Sequence, residues 1–129
     1  MALVDPALLQ IGRSGASPWL GGIDIDDFGG DPVSAAASFD ADAISPVHGK
    51  PQTGSVLDTG YRPYTTVEMV DAAHVAGMRV IPWTVNDIVT MRHLIDMHVD
   101  GIITDYPDRL RDLLRVSGAD LPRTFAAQD

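Results

Sequence analysis

The stretch "RVIPWTVND", residues 79–87, decides how the chain is read. Apolar, β-forming residues run into a tryptophan, then polar residues and a carboxylate, so a buried strand presents side chains at its C-terminal end. The continuous apolar run extends this strand over residues 78–85. Asp87 then caps a helix in which Met91, Leu94 and Ile95 share one face and which ends near His98.

Downstream, "DGIITD" at residues 100–105 reads as a second short apolar strand, and Pro107 opens a helix through Leu110, Leu113 and Leu114. Upstream, Thr65 and Glu68 match a capping box, and Val67, Val70, Ala73 and His74 share a helical face until Gly77 stops it. "ADAISP", residues 41–46, is a strand. "DPVSAAASFDAD", residues 31–42, is a helix with Asp31 as cap, Pro32 at its first position and an alanine run behind them. Between strand and capping box, "VHGKPQTGSVLDTGYRP" (47–63) has the turn chemistry of a long loop. Residues 1–40 are punctuated by Gly and Pro, with a short strand expected at 20–25.

Helices alternate with strands that are apolar along most of their length, which predicts an α/β fold with a parallel sheet and outer helices. Two strand–helix units about 22 residues apart have similar layouts, the spacing of a TIM (β/α)8 barrel, whose eight units need about 250 residues. A chain of 129 residues has room for half of that, so the expectation is the C-terminal part of a barrel. Residues 1–40 then lead in from the middle of the barrel, 41–116 are its last strand–helix units, and 117–129 form a frayed tail.

Composition narrows the function. Apolar residues at 45% and charged residues at 21% are globular values. A net charge of −9 repels phosphate backbones and anionic lipid, so neither nucleic acid nor a membrane surface is an expected partner. The absence of cysteine fits a reducing compartment, hence a cytoplasmic expectation, and no window nears the roughly 18 apolar residues of a spanning helix.

With those elements in place, residues 72–114 resemble the last two strand–helix units of the glycerophosphodiester phosphodiesterase family. The resemblance is carried by "PWTVND" (82–87) and "DGIITDYPDRL" (100–110), and more loosely by "ADAISPVHG" (41–49). It implies metal-dependent hydrolysis of a small-molecule glycerophosphodiester to sn-glycerol 3-phosphate and an alcohol, with calcium or magnesium in the complete domain. The family's His-Arg-Gly segment, second histidine and early acidic ligands have no counterpart here, and Lys50 does not match the family lysine. Phosphodiester cleavage needs charge neutralisation and a proton for the leaving alkoxide, so this chain alone is expected to hold no catalytic residue and no metal ligand. It is expected to be inactive by itself, and to pair with the missing N-terminal half, to self-associate or to remain partly unfolded.

What the chain supplies is the far wall of a pocket, because barrel strands present their C-terminal ends to the active site. Trp83 is a substrate-binding candidate, packing an apolar edge on the glycerol or alcohol while its indole N–H reaches a polar atom; the plainer reading is a tryptophan closing the core. Asn86 is the other, either bonding substrate or supporting the loop, or else capping a helix. Asp105 reads as a cap for the last helix, beside Pro107. His48 either faces the pocket or is a solvated loop histidine. His74, His93 and His98 sit on or beside helices and lack the zinc spacing. "DIDDFGGD", residues 24–31, fails as a calcium loop because Phe28 takes a ligand position and Ala35 stands where a bidentate Glu is required, leaving a solvated acidic loop. A non-catalytic half-barrel serving as a binding or assembly module is the alternative function. A different phosphate-handling barrel is disfavoured by strand ends without glycine.

Overall fold

The computed structural model describes residues 1–121. In chain order they form strand β1 (Ala2–Val4), a 3-10 helix (Ile25–Phe28), α1 (Pro32–Ala37), β2 (Ala43–Pro46), β3 (Gly49–Lys50), β4 (Arg62–Pro63), α2 (Val67–Val75), β5 (Arg79–Val80), α3 (Ile88–Asp96) and α4 (Pro107–Val116). β1, β2 and β5 pair in parallel with β2 in the middle, Ala2 opposite Ile44 and Ile44 opposite Val80. Each parallel step is made through a helix, so this is the α/β arrangement of part of a barrel.

Strand alternation separates two faces. Ala2, Ile44 and Val80 point into the helix layer and join Val33, Ala36, Val70, Ala73, Met91 and Leu94 in one buried cluster. Leu3, Ser45 and Ile81 alternate to the opposite face, which in a closed barrel is the interior. That face lacks a full cover: Leu3 and Ile103 are each 38% exposed.

Local chemistry accounts for the helix ends. The Asp31 carboxylate accepts from the Val33 and Ser34 amides ahead of Pro32, and Asp87 accepts from the Thr90 amide. Gly77 ends α2 with φ +79, a left-handed conformation that a β-carbon disfavours.

Several expectations are corrected. Residues 20–25 are no strand: Gly21 and Gly22 adopt positive φ, the chain turns, and Asp24 caps the 3-10 helix. The acidic loop is solvated, with Asp26 and Asp27 exposed, and it is also fastened, since Asp26 accepts from the Gly12 amide and Asp24 from the Gly15 amide. Thr66 rather than Thr65 caps α2, accepting from the Met69 amide at 3.2 Å, while the buried Thr65 hydroxyl donates to the Val47 carbonyl. The long loop holds an antiparallel pair, β3 with β4. Residues 100–105 form no ladder strand, although Asp100, Ile103 and Val85 still make backbone bonds between this segment and residues 80–85. Pro82, within the neighbouring segment, has no N–H to return a bond. β1 was not foreseen, and the expected frayed tail lies, from residue 122 on, outside the described residues.

Ile44 is fully buried at the centre of the sheet, whereas Val75 is 91% exposed. Ile44→Ala is expected to cost about 2–5 kcal/mol in a urea melt and Val75→Ala less than about 0.5 kcal/mol. Equal costs would contradict this core.

Candidate functional site

The C-terminal ends of the parallel segments open into a cleft of about 410 Å³. Thr84, Asn86 and Asp87 line it from the end of the third parallel segment, Asp105, Tyr106 and Arg109 from the next, and Gln52 to Gly54 from the β3–β4 loop.

Asn86 joins the two segment ends. Its Oδ1 accepts from the Asp105 amide at 2.9 Å and from the Thr104 hydroxyl at 3.2 Å, and its Nδ2 donates to the Asp105 carboxylate at 2.9 Å. Arg109 donates to the Asn86 carbonyl and lies 3.8 Å over the Tyr106 ring, a cation–π contact that fixes the start of α4. Asn86 thus lines the cleft and supports the neighbouring segment, and it is not a helix cap, since Asp87 caps α3. Asp105 is held by Asn86 and makes no cap: α4 begins after Tyr106 without a side-chain cap bond. Trp83 is half-buried with its indole N–H donating to the Ser45 carbonyl at 2.8 Å, and it is not among the cleft's lining residues, whereas its neighbour Thr84 is.

Asp87 does two jobs at once. One carboxylate oxygen accepts from the Thr90 amide and hydroxyl and from the Ser55 hydroxyl, so it caps α3 and ties down the β3–β4 loop. Burial pushes its pKa up, but the Ser55 and Thr90 bonds outweigh it and hold the carboxyl below its ordinary value. Asp5, just past β1, is likewise held down by Lys50, against the effect of burial; the pair meets at 2.8 Å.

His48 is not a solvated histidine. It is 1% exposed at the end of β2 and stacks on Tyr61 with ring centroids 5.7 Å apart. Its ring nitrogens meet the Tyr61 hydroxyl at 2.8 Å and the Gln52 carbonyl at 2.7 Å. His74 pairs with Asp100 at 2.7 Å near the opposite ends of the strands, away from the cleft. Gln52, Arg109 and the Asp5–Lys50 pair went unnoticed in the sequence, because only the folded chain brings residues 45 positions apart into contact.

The donors do not fit a divalent cation. Among the described residues no three His, Asp or Glu side chains stand close enough to hold a metal, and the cleft's carboxylates are committed to caps and to Asn86. No catalytic step through a metal follows from this chain. No helix of the described residues is long and apolar enough to cross a membrane.

A sequence model described as the glycerophosphoryl diester phosphodiesterase family matches residues 31–109, more than half of the chain. A probable glycerophosphodiester phosphodiesterase 2 of Mycobacterium tuberculosis is 48% identical over 56 residues, which are 43% of this chain and 21% of that protein. A dermonecrotic toxin of Loxosceles arizonica, LarSicTox-alphaVII1, is 46% identical over 63 residues, 49% of this chain and 23% of the toxin. The crystal structure of a putative glycerophosphoryl diester phosphodiesterase from Silicibacter pomeroyi superimposes with a TM-score of 0.55 at 32% identity, covering 69% of this chain and 25% of that one. The matches thus span about a fifth to a quarter of the relatives' length.

Two outcomes are expected. Asn86→Asp places a second carboxylate against the exposed Asp105 and removes the donor between them, so a urea melt at pH 7 should show a loss of stability of about 0.5–1 kcal/mol. Desolvation lowers the His48 pKa, opposed by the Gln52 carbonyl and Asp87. The unfolded chain then takes up that proton near pH 6.5 before the folded chain does, so stability falls as pH drops below about 6.5, by at most about 1.4 kcal/mol per pH unit. Urea melts of wild type and His48→Gln between pH 7.5 and 5 should show this slope in the wild type only.

Proposed function

The chain belongs to the glycerophosphoryl diester phosphodiesterase family, and we propose that it forms the far wall of an active site in a complete barrel that hydrolyses glycerophosphodiesters to sn-glycerol 3-phosphate and an alcohol. The observation that carries this reading is the position of the matched residues: Thr84, Asn86 and Asp105 converge on one cleft at the strand ends. Asn86 contacts the substrate, and Trp83, which does not line this cleft, meets the substrate's apolar part only where the complete barrel extends the pocket over it. Residues 41–116 act as the last strand–helix units and 1–40 as the preceding part.

The catalytic cation, calcium or magnesium, and the acid–base residues belong to strands that this chain does not contain. The net charge of −9 argues against nucleic acid and anionic membrane as partners, and the lack of cysteine supports a cytoplasmic setting.

The half-covered inner face favours a second reading, a non-catalytic binding or assembly module. Leu3, Ile81 and Ile103 there match the apolar surface that a missing N-terminal half or a second copy would bury. Analytical ultracentrifugation with thermal melting tests this: a monodisperse monomer with a sharp transition would overturn both kinds of association.

For the enzymatic reading, the purified chain with glycerophosphocholine and calcium or magnesium is expected to show no hydrolysis above buffer. Mixing it with separately produced N-terminal strand–helix units of a family relative should yield metal-dependent release of glycerol 3-phosphate, with Trp83→Ala and Asn86→Ala raising KM several-fold. Turnover by the chain alone, or a reconstituted activity indifferent to both substitutions, would refute it.

A further inference from the structure

The loop between β3 and β4 is bound to the cleft at several points, and the deepest of them is a histidine. Gln52 Nε2 donates to the Thr84 carbonyl at 3.1 Å, Ser55 donates to Asp87 at 2.7 Å, and the Val56 amide donates to Thr90 Oγ1 at 3.0 Å. Beneath them, His48 holds the Gln52 carbonyl on one side and Tyr61 on the other.

The bonding dictates the protonation state. A carbonyl only accepts, so Nε2 carries the hydrogen that reaches Gln52, and Nδ1 is left with a lone pair that accepts from the Tyr61 O–H. Tyr61 stays a phenol, its pKa raised to about 12 by burial. Tyr61 on the loop and Asp87 at the start of α3 are the titratable groups that face the imidazole. With one carboxamide N–H on Thr84, the Gln52 Oε1 has no protein partner among the described residues while its residue lines the cleft.

We propose that His48 is a positioning residue: by clamping the Gln52 carbonyl against Tyr61 it sets the Gln52 carboxamide in the cleft wall, where Oε1 accepts a hydrogen bond from a hydroxyl of the bound glycerol moiety. This rests on the reading of the cleft as part of a glycerophosphodiester site. It adds a polyol-reading contact from a loop outside the strand ends, and a reason for a doubly bonded histidine under that loop.

The test is titration of the full chain by NMR with two probes, glycerophosphocholine and ethyl phosphocholine, the second lacking the glycerol hydroxyls. Gln52→Ala should weaken glycerophosphocholine roughly five- to tenfold, the loss of one hydrogen bond to a neutral group, and leave ethyl phosphocholine unchanged. His48→Phe, which keeps the ring volume but neither bond, should reproduce that selective loss. Tyr61→Phe should reproduce part of it, and His48→Gln should restore it. The double variant His48→Phe, Gln52→Ala should bind no worse than either single variant. Equal weakening of both probes by His48→Phe, or multiplying losses in the double variant, would overturn the proposal and leave His48 a merely structural residue. If the wild type binds neither probe, the hydroxyl contact falls together with the site reading. The positioning claim is then decided in the free protein: the Gln52 carboxamide resonances must shift in His48→Phe and not in His48→Gln, and unchanged resonances would overturn it.

Discussion

A parallel strand built into a sheet has two faces to bury, and this chain brings helices to only one. That constraint organises the molecule. Ile44 sits between Ala2 and Val80 with the helices behind all three, and this face holds the buried cluster. The other face, carrying Leu3, Ser45 and Ile81, is what remains when a barrel is not closed around it. The buried cluster and the partly exposed face are therefore two sides of one sheet, with the cleft at the ends of its strands.

The strongest elements were legible because local chemistry and tertiary packing agreed on them. β2, α2, α3 and α4 combine apolar periodicity with a cap or a stop: Asp87 for α3, Pro107 for α4, Gly77 after α2. Disagreement appeared where a long-range bond competed with a local signal. Thr65 matches a capping box, yet its hydroxyl is taken by the Val47 carbonyl 18 positions away, so the cap moves to Thr66. β1 was hidden because three residues before Asp5 are too few to display a period, and only pairing with β2 makes them a strand.

The site was legible in part for the same reason. Asn86 stands at a strand end next to its own helix cap, so its position followed from the element order. Gln52, Tyr61 and Arg109 followed from nothing local: their partners are Thr84, His48 and Asn86, and those bonds exist only once the loop and α4 have folded over the strand ends. A histidine in a Gly- and Pro-rich segment carries no sign of burial until the segment folds over it.

The His74–Asp100 pair lies near the far ends of the strands from the cleft. The Asp100 carboxylate accepts from the amide of the β5 residue Val80 and pairs with the His74 ring of α2, and these bonds outweigh burial and hold its pKa below the ordinary value. Structural fastening at one end and cleft-lining groups at the other divide mutational tolerance along the strand axis. Substitutions at the cleft residues Thr84, Asn86, Asp105 and Arg109 leave untouched the bonds through which Asp100 registers α2 against the sheet, so the cleft wall of such a unit can diverge while its architecture is inherited unchanged.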